Sequence, residues 1–253
     1  MTAELEFIGI IPARYESSRF PGKPLASIMG KPMLWHVYNR AAACRLLDHV
    51  CLATDDSRIY NTARDYSIPV VMTSNNHQSG TDRVLEAARL NNATEGSIIV
   101  NIQGDEPALE PEMLDQLITP FISSPEINIT TLAREVSINE AVNKHVVKVV
   151  FSSSGRALYF SRNIIPYAAD ETRFFAHIGL YAFRMPMLEK FNTLNQGRLE
   201  KIEKLEQLRL LEADIPIHIV VTEYMSHGVD TPEDIEIVIK ILQERNNESS
   251  SSP

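Results

Sequence analysis

Residues 7–25 read Phe7-Ile8-Gly9-Ile10-Ile11-Pro12-Ala13-Arg14-Tyr15-Glu16-Ser17-Ser18-Arg19-Phe20-Pro21-Gly22-Lys23-Pro24-Leu25. The apolar run from Phe7 to Ile11 predicts a buried strand. The segment behind it is stiffened by Pro12, Pro21 and Pro24 and carries Arg14, Arg19 and Lys23. A strand that opens into a stiff cationic loop marks the carboxyl edge of an α/β sheet, where such folds bind ligands. Several cationic donors in one loop suit a phosphate chain. The loop has neither a Walker A pattern nor Gly-x-Gly-x-x-Gly, so side chains as well as backbone amides would hold the phosphates. A solvated basic loop accounts for any one of these cations but not for the stiffness of the whole.

Outward from this loop, strand and helix patterns alternate, which predicts a mainly parallel sheet with right-handed crossovers. Met33, Leu34, Val37, Ala41 and Cys44 line one face of a helix over 32–44, with Pro32 in its first turn. A second strand, Val50 to Thr54, ends in Asp55-Asp56, where an Asp normally caps the next helix, here about 57–66; a third strand follows at 69–72. In His77-Gln78-Ser79-Gly80-Thr81-Asp82-Arg83, Ser79 or Thr81 can cap a helix carrying Val84, Leu85, Ala88 and Leu90. Gly80 lets backbone approach a ligand, and Arg83 suits a nucleotide edge or phosphate. Ser97 to Asn101 is the most apolar strand and runs into Gln103-Gly104-Asp105-Glu106-Pro107. An Asp just past a central strand can hold Mg²⁺ against phosphates, so Asp105 is the metal candidate. Glu106 and Glu110 are expected to favour the N-terminus of a helix beginning at Pro111.

The middle of the chain changes character. Segments 128–133, 146–151, 157–160 and 177–183 are β-like without long helices between them, and Ser152 to Gly155 reads as a hairpin turn. An antiparallel subdomain is expected, crossed by a mobile loop over 168–176. Arg162, His177 and Tyr181 sit at strand positions or ends there and could face a polar ligand, although each alone is more often structural. Residues 198–212 read as one amphipathic helix burying Leu199, Ile202, Leu205, Leu208 and Leu211, with Glu206 and Gln207 in its middle. A last strand at 217–222 precedes Gly228-Val229-Asp230-Thr231-Pro232-Glu233-Asp234. Thr231 is the expected N-cap of the final helix and Asp234 the reciprocal acid, which leaves Asp230 as a second metal ligand or a turn residue. Residues 246–253 are expected to be a disordered tail.

With 253 residues and 44% hydrophobic residues, the chain suits one sizeable domain with a full core. A net charge of −9 argues against nucleic-acid or membrane-surface binding, so an anionic ligand must meet locally gathered cations or a metal. The N-terminal residues lack a signal pattern and no long apolar run occurs, which predicts a cytoplasmic protein. Cys44 and Cys51, the only cysteines, read as core thiols.

Taken in order, the loop block, Ala53-Thr54-Asp55-Asp56, His77 to Arg83, Asn101-Ile-Gln-Gly-Asp-Glu-Pro107 and Gly228 to Asp234 resemble the 3-deoxy-manno-octulosonate cytidylyltransferase (CMP-Kdo synthetase) family. Ala157 to Arg162, His177 to Arg184 and Leu205-Glu-Gln-Leu-Arg209 add to the resemblance, which spans about Ile8 to Glu236. It implies a three-layer α/β fold of nucleotide-diphospho-sugar transferase type with a smaller antiparallel dimerisation subdomain. It also implies a single domain over 1–245, with a nucleotide part at about 1–127 and 217–245 and a sugar and dimerisation part at 128–216. The implied substrates are CTP and Kdo, the cofactor Mg²⁺ and the assembly a homodimer. CTP is then expected on Arg14, Ser17, Lys23, Ala53, Thr54, Asp55, Ser79, Gly80, Arg83 and Gln103. Mg²⁺ is expected on Asp105 and Asp230, and the sugar acid on Gln103, Arg162, His177, Tyr181, Glu206 and Gln207, with Arg162 as counter-ion of its carboxylate. Arg14, Lys23, Asp105 and Asp230 would carry the chemistry, an in-line attack of the anomeric hydroxyl on the α-phosphorus. The rival readings are a cytidylyltransferase for another sugar acid, a glycosyltransferase, which would normally show Asp-x-Asp after a strand, and a nucleotide-binding protein without catalysis.

Overall fold

The computed structural model describes residues 5–16, 19–77, 79–168 and 172–251. In chain order the elements are β1 (Glu6–Ala13), a 3-10 turn (Lys23–Leu25), β2 (Ser27–Ile28), β3 (Lys31–Pro32), α1 (Met33–Ala42), β4 (His49–Thr54) and α2 (Ser57–Asp65). There follow β5 (Val70–Met72), α3 (Gly80–Leu90), β6 (Ser97–Asn101), α4 (Pro111–Ser123), β7 (Ile129–Val136), α5 (Ile138–Ala141), β8 (Lys148–Phe151) and β9 (Ala157–Ser161). The chain ends with β10 (Phe174–Arg184), α6 (Met185–Thr193), α7 (Arg198–Glu203), α8 (Leu208–Glu212), β11 (His218–Val221) and α9 (Asp234–Ser251). The class is mixed α/β, with a mostly parallel sheet and a small antiparallel β2–β3 pair, as the alternation of patterns predicts.

Two compact units divide the chain. The loop unit comprises Phe7–Ala93, Asn101–Leu114 and Met225–Pro253, and the hairpin unit Met1–Glu6, Thr94–Val100 and Asp115–Tyr224. In the loop unit β1 pairs parallel with β4 from Ile8↔His49 to Ala13↔Thr54, and β4 pairs parallel with β5. Ile8, Ile10, Ile11, Leu52 and Ala53 are buried here, which is why these strands read as continuous apolar runs rather than alternations. Two glycines are demanded by close approach or backbone hand. A Cβ on Gly104 would lie 2.5 Å from the carbonyl oxygen of Pro12, so the Gln-Gly-Asp turn can reach β1 only without a side chain. Gly22 has φ +73° and its N–H bonds the Tyr15 carbonyl at 2.8 Å, closing the cationic loop on itself.

Caps set the helix starts of this unit. Asp56 accepts from the N–H groups of Arg58 and Ile59 and so begins α2. Ser79 and Asp82 form a capping box for α3. Asp234 accepts from the N–H groups of Asp230 and Thr231 at 2.9 and 2.8 Å, so it holds the turn before α9, and the helix begins at Asp234 rather than at Pro232. That helix continues to Ser251, through much of the tail expected to be disordered, because propagating a formed helix costs little per residue.

In the hairpin unit β7 pairs antiparallel with β10 and parallel with β11, while β8 and β9 form the hairpin turning at 152–155, where Gly155 has φ +81°. The strand β11 belongs to this unit through its pairing with β7. The ladder of β7 and β10 shifts register between Ile178 and Tyr181, and the Thr131 hydroxyl fills the irregularity by bonding the Leu180 carbonyl at 2.7 Å. The loop expected over 168–176 is shorter, since Phe174, Phe175 and Ala176 already belong to β10. The single helix expected over 198–212 is two, broken at Lys204, which adopts φ 55°. Glu212 of α8 folds back to accept from the N–H groups of Arg198 and Leu199 at 2.9 and 3.0 Å. Ile202, expected in the core, is 64% exposed.

Candidate active site

Arg14 follows β1 directly, and its Nη2 donates to the carbonyls of Ser79 at 2.7 Å and His77 at 3.2 Å. The cationic loop is thus tied to the N-terminus of α3. His77 is held in turn by its ring, whose Nε2 bonds the Glu86 carboxylate, and Glu86 also accepts from Ser74 N–H at 2.9 Å. Arg14, Tyr15, Glu16, Asp55, Asp56, Asn75 and His77 line a cavity of about 490 Å³, of a size for a nucleotide. Across the Tyr15 ring lies the Arg58 guanidinium, 3.2 Å from the centroid, itself paired with Asp56.

Lys23 donates from Nζ to Asp105 Oδ2 and to the Val229 carbonyl, both at 2.7 Å. Val229 N–H bonds the Asp105 carbonyl at 2.8 Å, so backbone as well as side chain joins the two acidic turns. Arg19 reaches Asp230 Oδ2 at 2.8 Å in a pair that is more than half exposed. Each of the two metal-candidate carboxylates therefore faces a cation of the loop that follows β1. Among the described residues no three His, Cys, Asp or Glu side chains gather as a metal cage. Two carboxylates beside a cationic loop nevertheless suit Mg²⁺, which is commonly bound by one or two carboxylates with substrate phosphates and water.

The remaining nucleotide candidates divide. Ser79 is the N-cap and Gly80 the first residue of α3, where amides lie ahead of the helical ladder. Arg83 is fully buried, bonding Thr73 and, from Nη2 at 2.7 Å, Asp55, while its Nε has no hydrogen-bond partner. It positions Asp55 at the cavity wall. Ala53 and Thr54 are buried in the β4 ladder, and the Thr54 carbonyl accepts from Thr73 N–H at 2.8 Å. The Gln103 carbonyl accepts from Glu106 N–H at 3.3 Å. Ser17 lies outside the described residues.

Two acids expected only to favour a helix N-terminus have other surroundings. Glu110 pairs with Arg40 and Arg245. Glu106 has a buried Oε2 without a hydrogen-bond partner, and burial pushes its carboxyl up to about 7.

The sugar-acid candidates other than Gln103 lie in the hairpin unit. His177 Nε2 is 2.9 Å from Thr131 Oγ1, and loss of solvation pushes the imidazole down to about 3. Because the Thr131 hydroxyl proton is directed to the Leu180 carbonyl, Nε2 carries the proton of the neutral ring and donates to Thr131. The Tyr181 ring lies 5.4 Å from that of His177, and its hydroxyl is buried without a hydrogen-bond partner. Burial, with the Glu206 charge adding to it, raises its pKa well above the ordinary phenol value. Gln207 is buried at the start of α8, one residue after Glu206, in the turn that Lys204 creates. Arg162 follows β9 and bonds the Glu203 carbonyl from Nε at 3.0 Å.

Sequence reasoning passed over Lys148, Glu203, Glu86 and the wall residues Tyr15, Glu16 and Asn75 as site residues. Lys148 carries a visible signal, a lone lysine within Val146-Val147-Lys148-Val149-Val150. Glu203 carries none, since a glutamate late in an amphipathic pattern is ordinary.

The chain matches the family described as Cytidylyltransferase over residues 8–219. It is 55% identical over 239 residues to the 3-deoxy-manno-octulosonate cytidylyltransferase of Oleidesulfovibrio alaskensis, a match covering 93% of this chain and 96% of the relative. Identity to the protein of the same name from Nitratidesulfovibrio vulgaris (strain DP4) is 53% over 250 residues, covering 96% and 99%. Among solved structures, CMP:2-keto-3-deoxy-manno-octonic acid synthetase complexed with CTP is similar with a TM-score of 0.90 and 39% identity, over 95% of this chain and 99% of that one.

Proposed function

Because the chain belongs to the 3-deoxy-manno-octulosonate cytidylyltransferase family of cytidylyltransferases, we propose that it activates Kdo, converting CTP and 3-deoxy-D-manno-octulosonate to CMP-Kdo and diphosphate for lipopolysaccharide assembly. The observation that carries the reading is the pairing of loop cations with the two acids, Lys23 with Asp105 and Arg19 with Asp230, on the same loop whose Arg14 lines the cavity. An exposed pair such as Arg19–Asp230 contributes little in water, so a triphosphate can take the cations while the carboxylates turn to a metal.

The reaction joins the anomeric oxygen of Kdo to the α-phosphorus and breaks the bond from that phosphorus to the bridging oxygen, so diphosphate leaves. No protein nucleophile is needed. Arg14, held against the Ser79 and His77 carbonyls, and Lys23, held beside Asp105, offset charge that builds on the leaving phosphates, and both are placed before substrate arrives. Asp105 and Asp230 would hold Mg²⁺. When bound, the ion supplies Lewis acidity to the phosphate and lowers the pKa of a nearby hydroxyl. Arg162 supplies the counter-charge for the sugar carboxylate, and neutral His177 and the Tyr181 hydroxyl offer uncharged hydrogen bonds to the polyol. A homodimer belongs to the same reading.

Diphosphate release from CTP and Mg²⁺ tests the proposal, with Kdo, with sialic acid and without a sugar. Release with Kdo alone, abolished by a chelator of divalent cations, is the expected result. Release with sialic acid but not Kdo would keep the nucleotide assignment and overturn the acceptor. Release unaffected by the chelator would overturn Asp105 and Asp230 as a metal pair.

A further inference from the structure

Two elements of the hairpin unit, the end of β9 and the α7–α8 turn, are tied together by one carboxylate. Glu203, the last residue of α7, accepts from Ser161 Oγ at 2.7 Å, from Arg162 N–H at 3.0 Å and from the Tyr159 hydroxyl at 3.4 Å. Its own carbonyl accepts from Arg162 Nε at 3.0 Å. Both the backbone and the side chain of Arg162 are thus set by a single residue. On the other side of the peptide, the Arg162 carbonyl accepts from Lys148 Nζ at 2.6 Å. That ammonium is fully buried and also bonds the carbonyls of Val146 at 2.7 Å and Asn143 at 3.0 Å. The outer end of the guanidinium makes a longer bond, 3.4 Å from Nη1 to the Lys144 carbonyl, and can change partner at small cost.

The position of Glu203 in the chain gives this staple a consequence. One residue later the backbone reverses through Lys204 at φ 55°, and Glu206 and Gln207 follow directly. A carboxylate that holds Arg162 therefore also sets where those two side chains begin. We infer that Glu203 is a positioning residue for the acceptor, its carboxylate fixing Arg162 relative to the turn that carries Glu206 and Gln207 and thereby setting affinity for the sugar carboxylate rather than for the nucleotide. Its three bonds are charge-assisted, which makes them stronger than neutral ones and costly to lose together. The inference rests on the assignment of Arg162 to the acceptor.

Steady-state kinetics of Glu203→Ala, Glu203→Gln and Arg162→Ala, each checked for folding by thermal denaturation, test it. Glu203→Ala is expected to raise the KM for Kdo by about tenfold or more, the scale of one lost charge-assisted bond, while the KM for CTP stays within about twofold. Glu203→Gln keeps an oxygen for Arg162 N–H and can donate to Ser161 Oγ, so it is expected to restore most of the Kdo affinity. If Glu203→Ala does not fold, Glu203→Asp, which draws the carboxylate back by one methylene, is expected to show the same split. Equal changes in both KM values, or none, would overturn the role of Glu203. An unchanged KM for Kdo in Arg162→Ala would overturn the acceptor assignment instead, and a rise there without a rise in the Glu203 variants removes the positioning role alone.

Discussion

His177 is an imidazole held neutral in a place that solvent serves poorly, and its consequence is a pH-dependent stability. Its folded pKa, about 3, lies below the ordinary value of 6.5. Between those values the unfolded chain binds a proton that the folded chain does not, so the contribution is complete above the unfolded pKa and is lost as pH falls towards 3. From pH 7 to pH 5 the wild type is expected to lose about 2 kcal/mol more unfolding free energy than His177→Gln. Urea denaturation of both proteins at the two pH values checks this, and parallel slopes would mean that the ring is charged in the fold. The same neutral state keeps Nε2–H directed at Thr131, so the ring presents Nδ1 as an acceptor.

Among the elements, the break between α7 and α8 turns on one backbone angle. Lys204 sits in the left-handed region at φ 55° and ψ 47°, with its N–H on the Glu200 carbonyl, an αL helix end normally given to glycine. A side chain there costs about 1–2 kcal/mol, whereas glycine costs about 0.5–1 kcal/mol in unfolded-state entropy. Lys204→Gly is therefore expected to stabilise the protein by roughly 0.5–1 kcal/mol, read as a higher urea midpoint with an unchanged slope. Loss of stability in that variant would show that the lysine side chain, not the backbone, holds the turn. A helix continuous over 198–212 was the natural reading of leucine and isoleucine at 199, 202, 205, 208 and 211. That spacing is a strict three, and in a helix of 3.6 residues per turn it drifts round the cylinder by about 60° per step instead of holding one face. The exposed Ile202 is where the drift emerges, and Glu212 capping α7 from α8 is the tertiary bond that makes two helices better than one.

For the molecule as a whole, a net charge of −9 has to accommodate substrates that are themselves polyanions. The loop unit gathers Arg14, Arg19 and Lys23 in one segment, where the triphosphate is proposed to bind, and a ligand that binds only the folded state raises stability by mass action. With CTP and Mg²⁺ at about a hundred times the dissociation constant, the gain is roughly 2.7 kcal/mol. For a chain of this size that corresponds to a rise in Tm of about 5–10 °C, measured by differential scanning fluorimetry. GTP is expected to give a distinctly smaller rise. An equal rise with GTP would remove base discrimination from the nucleotide site.

Much of this protein is determined by local chemistry that sequence displays directly. The buried strands β1, β4 and β6, the caps Asp56 and Ser79, the turn at Gly155 and the order of the motif blocks follow from apolar runs, side-chain oxygens and glycines acting within a few residues. The motif blocks also identify the family. Tertiary structure alone decided which polar groups are committed to one another. Arg83 is bound to Asp55, Glu110 to Arg40 and Arg245, Lys148 to three carbonyls, and Glu203 to Ser161 and Arg162. These partners are separated along the chain by up to 135 positions, as Glu110 and Arg245 are. The physical reason is that a buried charge needs a partner wherever the fold supplies one, and such a pairing leaves no periodicity for sequence to show.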